Sequence, residues 1–297
     1  MGPISSGAVR PSAGALLVTK EDVASQVGTL PTLPEVLGRL MALFNDPRAK
    51  ADDFEAVIAI DAGLSSNVLR VVNSAAFGVR AKVSSVAHAV MLLGLQRIHE
   101  IVASASYRSM IPRWLPGYGI KARDFWAHNA ASAVIASKLS DRLRLTTHQN
   151  AFTAGLLHDC GKLAIATFLS KKKTWPSLRA ENGGDPVAAE RRAIGTDHCE
   201  VGGEIVRRWQ LPSDLELIAM WHHQPLNAPD ENARRLIAAV HVASSATYNL
   251  GFGADSGEAE QAVGNEVYDV LGLTPDAVNE IVRGSLAEIQ KLVEVLG

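Results

Sequence analysis

The sequence predicts an all-α fold made of two helical lobes. Apolar residues recur at three- and four-residue spacing through most of the 297 residues, and strand-like alternation is scarce. Aromatic residues make up only 5% of the chain and alanine is abundant, which also favours helices. Prolines and glycines cluster from Pro112 to Gly119. We place the boundary between the two lobes at this cluster because such residues interrupt helices.

In the first lobe, turn and capping residues divide the apolar pattern into short helices. Leu30–Pro34 predicts an extended entry, since proline biases the residue before it away from helix. Pro34 suits the first turn of a helix that Asp46-Pro47 ends. Four further helices are predicted up to Met110, and Gly94 separates the last two.

In the second lobe, two long helices precede several shorter ones. The predicted ranges are 124–142, 150–168, 186–194, 199–209, 213–222 and 232–249. Thr274 caps a final amphipathic helix, Pro275–Leu296, whose apolar stripe would form a dimerisation face if it were exposed. We therefore divide the chain into a flexible tail (1–20), an N-terminal lobe (21–115), a second lobe (116–250), and a loop with C-terminal helices that pack on the domain (251–297).

Composition argues against several classes of partner. The net charge is −2, so there is no global positive field to attract nucleic acid or an anionic membrane. Lys171–Lys173 beside Trp175 is interpreted as a solvated helix end, because the helix dipole favours lysine there. The chain has no apolar run long enough for a membrane span. Two cysteines form no disulfide framework, and we expect a cytoplasmic protein.

The segment Gly155–Lys162 carries the strongest chemical signal. It places His158 next to Asp159 on an otherwise apolar, small-residue helix. A buried imidazole and a buried carboxylate are costly unless they are paired, and a divalent metal or a hydrogen-bonded core are the two candidate partners. Lys162 follows, and it either neutralises a phosphate, pairs with Asp159, or faces solvent as an ordinary helix lysine.

Further histidines recur at spacings that return successive helices of a bundle to one point. Together with His158 and Asp159, the candidate metal-ligating residues of the second lobe are His128, His198, His222 and His223. Imidazole with carboxylate suits Fe, Mn or Zn, and one or two such ions could activate water and stabilise phosphoryl charge. Taken singly, each histidine is also explained as a hydrogen-bonded core residue. We expect Cys199 to be a small buried thiol rather than a ligand.

From about Val23 to Asn249 the chain resembles the HDOD family, the HD-related output domain of bacterial signalling proteins. The matching motifs, in order, are Leu30–Pro34, Ile60-Asp61, Leu69–Ala75, Ala89–Leu95, Phe125–His128, Gly155–Lys162, His198–Gly202 and Trp221–His223. The resemblance implies a two-lobed helical fold, with residues 116–250 as an HD-like lobe, related to metal-dependent phosphohydrolases and HD-GYP phosphodiesterases. It also implies that His128, His158 and Asp159 hold a first metal and His198, His222 and His223 a second.

Two departures from the HD superfamily argue against catalysis. Ser244 stands where the superfamily has a late aspartate, and a neutral hydroxyl is a poor metal ligand, so the metal could be absent. His241, one turn earlier, is expected to pack in the core. The Gly-Tyr-Pro motif is missing after His222-His223, and Gly117–Gly119 is interpreted as a chance echo of it in the boundary loop.

The resemblance and its departures together predict a bacterial signal-transduction protein whose HDOD domain acts through protein–protein contacts, with weak or no catalysis. The partners that this implies are a sensor kinase, a response regulator or proteins of the cyclic-di-GMP pathway, and a homodimer is open. The alternative is a metal-dependent phosphohydrolase or phosphodiesterase acting on a nucleotide or cyclic dinucleotide. In that case Asp159 and Lys162 would have catalytic roles. The sequence therefore leaves enzyme activity open, although the two departures favour a protein without it.

Overall fold

The all-α prediction is confirmed by the computed structural model, which describes residues 20–25, 35–44, 46, 48–79, 82–145, 148–172, 174–179, 184–252 and 263–297. The predicted tail before Lys20 and the entry motif Leu30–Pro34 lie outside these residues, as does most of the predicted loop 251–257. The helices of the first part of the chain are α1 (Lys20–Ser25), α2 (Glu35–Phe44), α3 (Ala51–Ile58), α4 (Ala62–Val72), α5 (Val86–Leu93) and α6 (Leu95–Met110).

The second part continues as helices around one long central element. They are α7 (Ala122–Leu143), α8 (His148–Leu157), α9 (Cys160–Ser170), α10 (Pro186–Ile194), α11 (His198–Arg208), α12 (Ser213–Trp221), α13 (Glu231–Asn249), α14 (Asn265–Leu271) and α15 (Pro275–Leu296). Helix α7 contacts α8, α13 and α15, so most of its surface is buried. The short helix α1 contacts α11 and α9, although the sequence places it with the first lobe.

Side-chain caps begin many of these helices and so fix where the site-bearing residues start. Each cap accepts a backbone N–H of the first helical turn, which is otherwise without a partner. The capping residues are Asp61, Ser85, Asp185, Asp197, Asp230 and Thr274. Asp197 matters most for function, because it caps α11 and therefore sets the position of His198 at the first residue of that helix.

The structure departs from the predicted single helix 150–168, which is broken at His158-Asp159. Helix α8 ends at Leu157 and α9 begins at Cys160, with Asp159 at the N-cap position and the Lys162 amide donating to the Asp159 carbonyl oxygen (3.0 Å). The carboxylate of Asp159 makes no capping hydrogen bond of its own. It is therefore left to face the neighbouring helices rather than its own backbone.

Two glycines on either side of this break allow close helix contacts. A Cβ on Gly155 would lie 2.6 Å from the backbone oxygen of Ser132 on α7. A Cβ on Gly161 would overlap the backbone oxygen of His198 on α11. The two glycines therefore let α7 and α11 approach the His158-Asp159 dipeptide closely.

At the predicted boundary loop the chain forms a small antiparallel hairpin of β1 (Trp114–Leu115) and β2 (Ile120–Lys121). Leu115 pairs with Ile120 and both are buried, while Trp114 pairs with Lys121 and both are exposed. Gly117 in the turn has φ +85° and leaves room for Leu169 and Leu178. Strands of two residues are too short for an alternating pattern to predict them.

The two lobes meet where α6 packs on α8. At this contact the buried His99 ring joins Thr153 (Nε2 to Oγ1, 2.8 Å) and stacks edge-on against Phe44. The contact therefore links the first lobe to the helix that leads into His158. Across the described residues, no helix is both long and apolar enough to cross a lipid bilayer.

Candidate metal centre

The structure brings all six predicted metal-ligating residues together in the second lobe. His128 comes from the first half of α7, while His158 and Asp159 come from the break between α8 and α9. His198 begins α11, and His222 and His223 follow the end of α12. All are at most 4% exposed except His223, which is half-buried.

Asp159 lies between two clusters of imidazoles, and each of its oxygens faces one cluster. Oδ2 is 3.7 Å from the Nε2 atoms of His128 and His158. Oδ1 is 3.4 Å from Nε2 of His198 and 3.6 Å from Nε2 of His222. We call the first set (His128, His158, Asp159 Oδ2) the first cluster. The set with His198, His222, His223 and Asp159 Oδ1 is the second cluster.

The first cluster is flanked by two groups that alter its chemistry. The His128 and His158 Nε2 atoms are 3.3 Å apart, and the Ser244 hydroxyl lies 3.4 Å from His128 Nε2. The Lys162 ammonium forms a 3.0 Å ion pair with Asp159 Oδ2. The first cluster therefore offers a neutral hydroxyl and a carboxylate oxygen that already has a cationic partner.

The second cluster offers more ligand atoms. His198 Nε2 is 3.4 Å from His222 Nε2 and 3.0 Å from His223 Nε2. Behind it, the buried Glu190 carboxylate accepts hydrogen bonds from both His198 Nδ1 (2.8 Å) and the His198 amide (2.7 Å). A carboxylate behind a histidine is the usual arrangement that orients a metal ligand.

Hydrogen bonds at Nδ1 direct the Nε2 lone pairs into the centre. His158 Nδ1 donates to the Gly155 carbonyl (2.8 Å) and His222 Nδ1 to the Ala219 carbonyl (3.0 Å). The Thr247 hydroxyl donates to the Ser244 carbonyl, so it accepts from His128 Nδ1 at 2.7 Å. With Nδ1 carrying the proton, each neutral ring leaves Nε2 as an acceptor.

The electrostatics keep these rings neutral. Burial lowers the pKa of His158 to about 4 and that of His198 well below its usual range, and it also lowers the pKa of His222. For Asp159, burial is the largest influence and acts to raise the pKa, but the Lys162 charge and the surrounding histidines together outweigh it, so the pKa lies well below the ordinary value. At neutral pH a carboxylate is therefore surrounded by imidazole acceptors that have no proton to offer it.

The donor set fits a divalent cation. Asp159 Oδ1 is buried without a hydrogen-bond partner, and the Nε2 atoms of two imidazole pairs, His128 with His158 and His198 with His222, present lone pairs to each other. Metal–nitrogen bonds of about 2.0–2.1 Å place tetrahedral ligand atoms about 3.3 Å apart. The 3.0, 3.4 and 3.4 Å separations around His198 Nε2 are close to this value. A bound cation would satisfy the orphaned oxygen and the facing lone pairs together.

Lys162 is buried in the centre, so the interpretation as a solvent-facing lysine was wrong. It is 2% exposed and belongs to α9, where its partner is the Asp159 carboxylate three residues earlier. Its Nζ lies 6.0 Å from the ring centroid of Tyr118. Pairing with Asp159, one of the roles that the sequence left open, is the contact observed.

Three residues at the centre were not predicted from the sequence. Glu190 and Thr247 fix His198 and His128, and Tyr118 of the hairpin is buried beside Lys162. Burial raises the pKa of Glu190 well above its usual value, while the Lys162 charge and the hydrogen bond from the His198 amide act to lower it. The echo motif Gly117–Gly119 was dismissed as a boundary loop, so the place of its tyrosine was missed.

Two residues considered at the edge of the site take minor positions. His241 Nδ1 donates to the His222 carbonyl (2.8 Å), which agrees with the expected packing role. Cys199 is buried with its sulfur 3.6 Å from His198 Nε2, and burial raises its thiol pKa well above the usual value. The Cys199 sulfur is close enough to the nitrogens of His198, His222 and His223 to bind the same ion.

Comparison with known proteins identifies the family. The model of the HDOD domain matches residues 30–225, about two thirds of the chain. The chain belongs to the HDOD domain family. The HDOD match begins between α1 and α2 and ends just after His223, so it covers every imidazole of both clusters.

Solved structures show that the HDOD fold extends over nearly the whole chain. An HDOD domain protein of unknown function from Geobacter sulfurreducens aligns with a TM-score of 0.70 at 24% identity, covering 93% of this chain and 97% of that one. A protein from Shewanella amazonensis SB2B, provisionally named a phosphohydrolase, aligns with a TM-score of 0.65 at 21% identity, covering 93% and 98%. A provisionally named signal transduction protein from Marinobacter aquaeolei VT8 aligns with a TM-score of 0.72 at 19% identity, covering 95% and 62%.

Among curated sequences, an uncharacterized protein from Treponema pallidum (strain Nichols) is 24% identical over 229 residues. The match covers 75% of this chain but only 43% of the Treponema protein, so the chain spans less than half of that relative's length. These comparisons show the fold and the family.

Proposed function

We propose that this HDOD protein is a cytoplasmic regulatory protein of bacterial signal transduction that acts through protein contacts. In this proposal the second cluster holds one divalent metal ion, which stabilises the lobe, and hydrolysis is weak or absent. The observation that carries the proposal is the state of Asp159. It is the single carboxylate shared by both clusters, and Lys162 already neutralises it.

Charge balance argues against a pair of ions. Two divalent cations would bring four positive charges next to the Lys162 ammonium, whereas the two clusters contain one carboxylate among neutral imidazoles. The Ser244 hydroxyl adds no negative charge at the position where the resemblance leads one to expect an aspartate. A single ion at the second cluster uses three imidazoles and Asp159 Oδ1, the oxygen that is not paired with Lys162.

The cavity beside His223 is also poorly suited to a phosphoester substrate. Among the described residues, His223 is the half-buried ligand, and it lines a cavity of about 390 Å³. Glu266 is the charged side chain of that cavity, and its described lining includes no lysine or arginine. Phosphate recognition generally uses cationic or backbone N–H donors, so this cavity is poorly matched to a phosphate.

In the proposed role each group has a defined task. A divalent ion at the second cluster would supply a fixed positive charge and bonds between helices. Glu190 orients His198, Asp159 joins the α8–α9 break to α11, and Lys162 keeps the Asp159 carboxylate ionised. The partners that we propose are a sensor kinase, a response regulator or proteins of the cyclic-di-GMP pathway, and the provisional name of the Marinobacter relative supports a signalling role.

A second candidate function is a metal-dependent phosphohydrolase acting on a nucleotide or cyclic dinucleotide. It is favoured by the gathering of all six ligand residues in one centre, and by the provisional names of two Shewanella relatives, a phosphohydrolase and a metal-dependent phosphohydrolase. In that case the buried Lys162 ammonium would break its ion pair with Asp159 and bind a phosphate oxygen instead.

The experiment measures metal content and hydrolysis together. Protein purified without chelator is analysed by mass spectrometry for Fe, Mn and Zn, and then assayed on cyclic di-GMP and on a chromogenic phosphodiester. We expect metal with no turnover. The Ser244→Asp variant should gain metal content because it adds a carboxylate beside His128, whereas the isosteric neutral Ser244→Asn should not. Turnover by the wild type that His158→Ala abolishes would overturn the regulatory proposal.

A further inference from the structure

The hairpin at the lobe boundary carries an exposed tryptophan between cations. Trp114 is 46% exposed and pairs across the strands with the exposed Lys121. A Cβ on Gly119 would lie 3.8 Å from the Trp114 ring and 3.5 Å from the Arg179 guanidinium, so the ring and this second cation are close neighbours. Trp114 thus has a positively charged side chain on two sides.

A second segment with the same composition is fixed against this hairpin. The Leu178 amide donates to the Gly117 carbonyl (2.9 Å), and the buried Leu178 side chain fills the space beside Gly117. Three residues earlier, Trp175 is 44% exposed. Helix α9, which contacts β1, ends just before this segment and places Lys171 and Lys172 on the surface. The structure therefore joins two stretches that are about sixty residues apart in sequence.

The joined surface is strongly positive. The chain has no acidic residue from 101 to 123 and none from 160 to 180. We call this region the hairpin surface; it consists of two tryptophans and six exposed cations, namely Trp114, Trp175, Arg113, Lys121, Arg123, Lys171, Lys172 and Arg179. Because the net charge of the whole chain is −2, the six positive charges of the hairpin surface leave a net charge of −8 on the rest of the chain.

We propose that the hairpin surface docks an acidic segment of a partner protein. Tryptophan and arginine are the residues most enriched at interface hot spots, and surrounding cations steer an acidic partner and fix its orientation. A long nucleic acid is disfavoured because the rest of the chain carries a net negative charge, which repels a polyanion.

This inference rests on the proposed function in one respect: it supplies the contact through which a regulatory HDOD protein would act. Lys171 and Lys172 are exposed at the end of α9, as the sequence predicts, and the inference assigns that solvated helix end a binding role; Lys173 lies outside the described residues. Metal binding plays no part in it, so its test is independent of the metal and hydrolysis assays.

The test uses the full chain and fluorescence anisotropy. The probe is a short labelled peptide of glutamates with two leucines, compared with a glutamine version and with a labelled oligothymidylate of equal length. Lys121→Glu should weaken peptide binding about tenfold at low salt and less at high salt. Trp114→Ala should weaken it by a similar factor at both salt concentrations, since its contribution is apolar.

Arg283→Glu on α15 is the matched control, because it reverses an exposed cation away from the hairpin surface. Affinity within about twofold of the wild type is expected for it. The proposal is overturned if the peptide does not bind saturably, if Arg283→Glu weakens binding as much as Lys121→Glu, or if oligothymidylate binds more tightly than the peptide. None of these peptide-binding outcomes affects the metal and turnover assays. Conversely, turnover by the wild type would overturn the proposed regulatory function, and peptide binding could still be measured.

Discussion

Gly161 controls how closely α9 approaches α11, and substituting it should separate the two halves of the metal centre. A Cβ on Gly161 would overlap the His198 carbonyl oxygen and lie 2.8 Å from both the His198 carbonyl carbon and the Gly202 amide nitrogen. All three are backbone atoms, so no side-chain rotation relieves the overlap. Gly161→Ala must therefore move one helix away from the other.

The size of the effect follows from these distances. The overlap with the His198 carbonyl oxygen is the tightest of these contacts, and restoring ordinary contact at about 3.4 Å there requires an opening of more than about 1 Å. Overpacking of this kind costs about 1–3 kcal/mol, and we expect the upper part of that range because the backbone is rigid on both sides. Alanine's better helix propensity offsets at most about 1 kcal/mol. The net loss in free energy of unfolding should be about 2 kcal/mol.

Metal binding should suffer more than stability. Asp159 and His198 lie on either side of the α9–α11 contact, with Oδ1 3.4 Å from Nε2. Because a metal site tolerates displacement of only about 0.5 Å, Gly161→Ala should lower metal affinity at least tenfold. Urea unfolding and calorimetric titration with Zn²⁺ or Mn²⁺ measure the two quantities.

Gly202→Ala is the matched control at the same helix contact. Its Cβ would lie 3.4 Å from Ala219 Cβ and 3.5 Å from the Gly161 amide, which is ordinary packing. We expect it to change the free energy of unfolding by less than about 1 kcal/mol and to retain metal. If Gly161→Ala were as stable and as metal-competent as Gly202→Ala, the described approach of α9 to α11 would be refuted.

Three further predictions concern the lobe contact and the metal centre. Burial lowers the pKa of His99 to about 4, so the unfolded chain takes up a proton first as the pH falls below about 6.5. The free energy of unfolding of the metal-free protein should therefore fall from pH 6.5 to 4, with His99 contributing about 3 kcal/mol. In urea unfolding, this free energy should depend less steeply on pH for His99→Gln than for the wild type. Equal pH dependence in the two proteins would contradict the prediction. Glu190→Gln should lower the metal affinity measured by calorimetry about 10–100-fold, because Glu190 orients His198. Thr247→Val, the counterpart at the first cluster, should leave that affinity within about threefold of the wild type. Equal losses of affinity would contradict the assignment of the metal ion to the second cluster. Chelation should lower the thermal midpoint of the wild type but not that of His222→Gln, and a wild type insensitive to chelator would show that the ion contributes no stability.

The set of metal-ligating residues was predictable because the residue types themselves indicate metal binding. Imidazoles and a carboxylate on apolar helices are costly without a partner, and their helical spacing indicated a common location. Ser244 was singled out from its place in the resemblance, and it lies 3.4 Å from His128 Nε2. The cap Thr274 was predicted from local sequence alone, and its hydroxyl accepts the expected hydrogen bond from the Ala277 amide.

The supporting contacts were not predictable, because they arise only when distant helices meet. Glu190 precedes two arginines in what looks like a polar helix, and nothing local shows that it is fully buried against His198. The break at His158-Asp159 was hidden by apolar periodicity that continues through it. The hairpin surface joins segments that each seemed an ordinary loop or helix end.

The most direct test is the location of the metal. Crystals of protein purified without chelator, measured at the absorption edge of the metal found by mass spectrometry, should show a single anomalous peak per chain. We predict that it lies among the Nε2 atoms of His198, His222 and His223. Two peaks per chain, a peak between His128 and His158, or no peak would contradict the proposed single-ion centre.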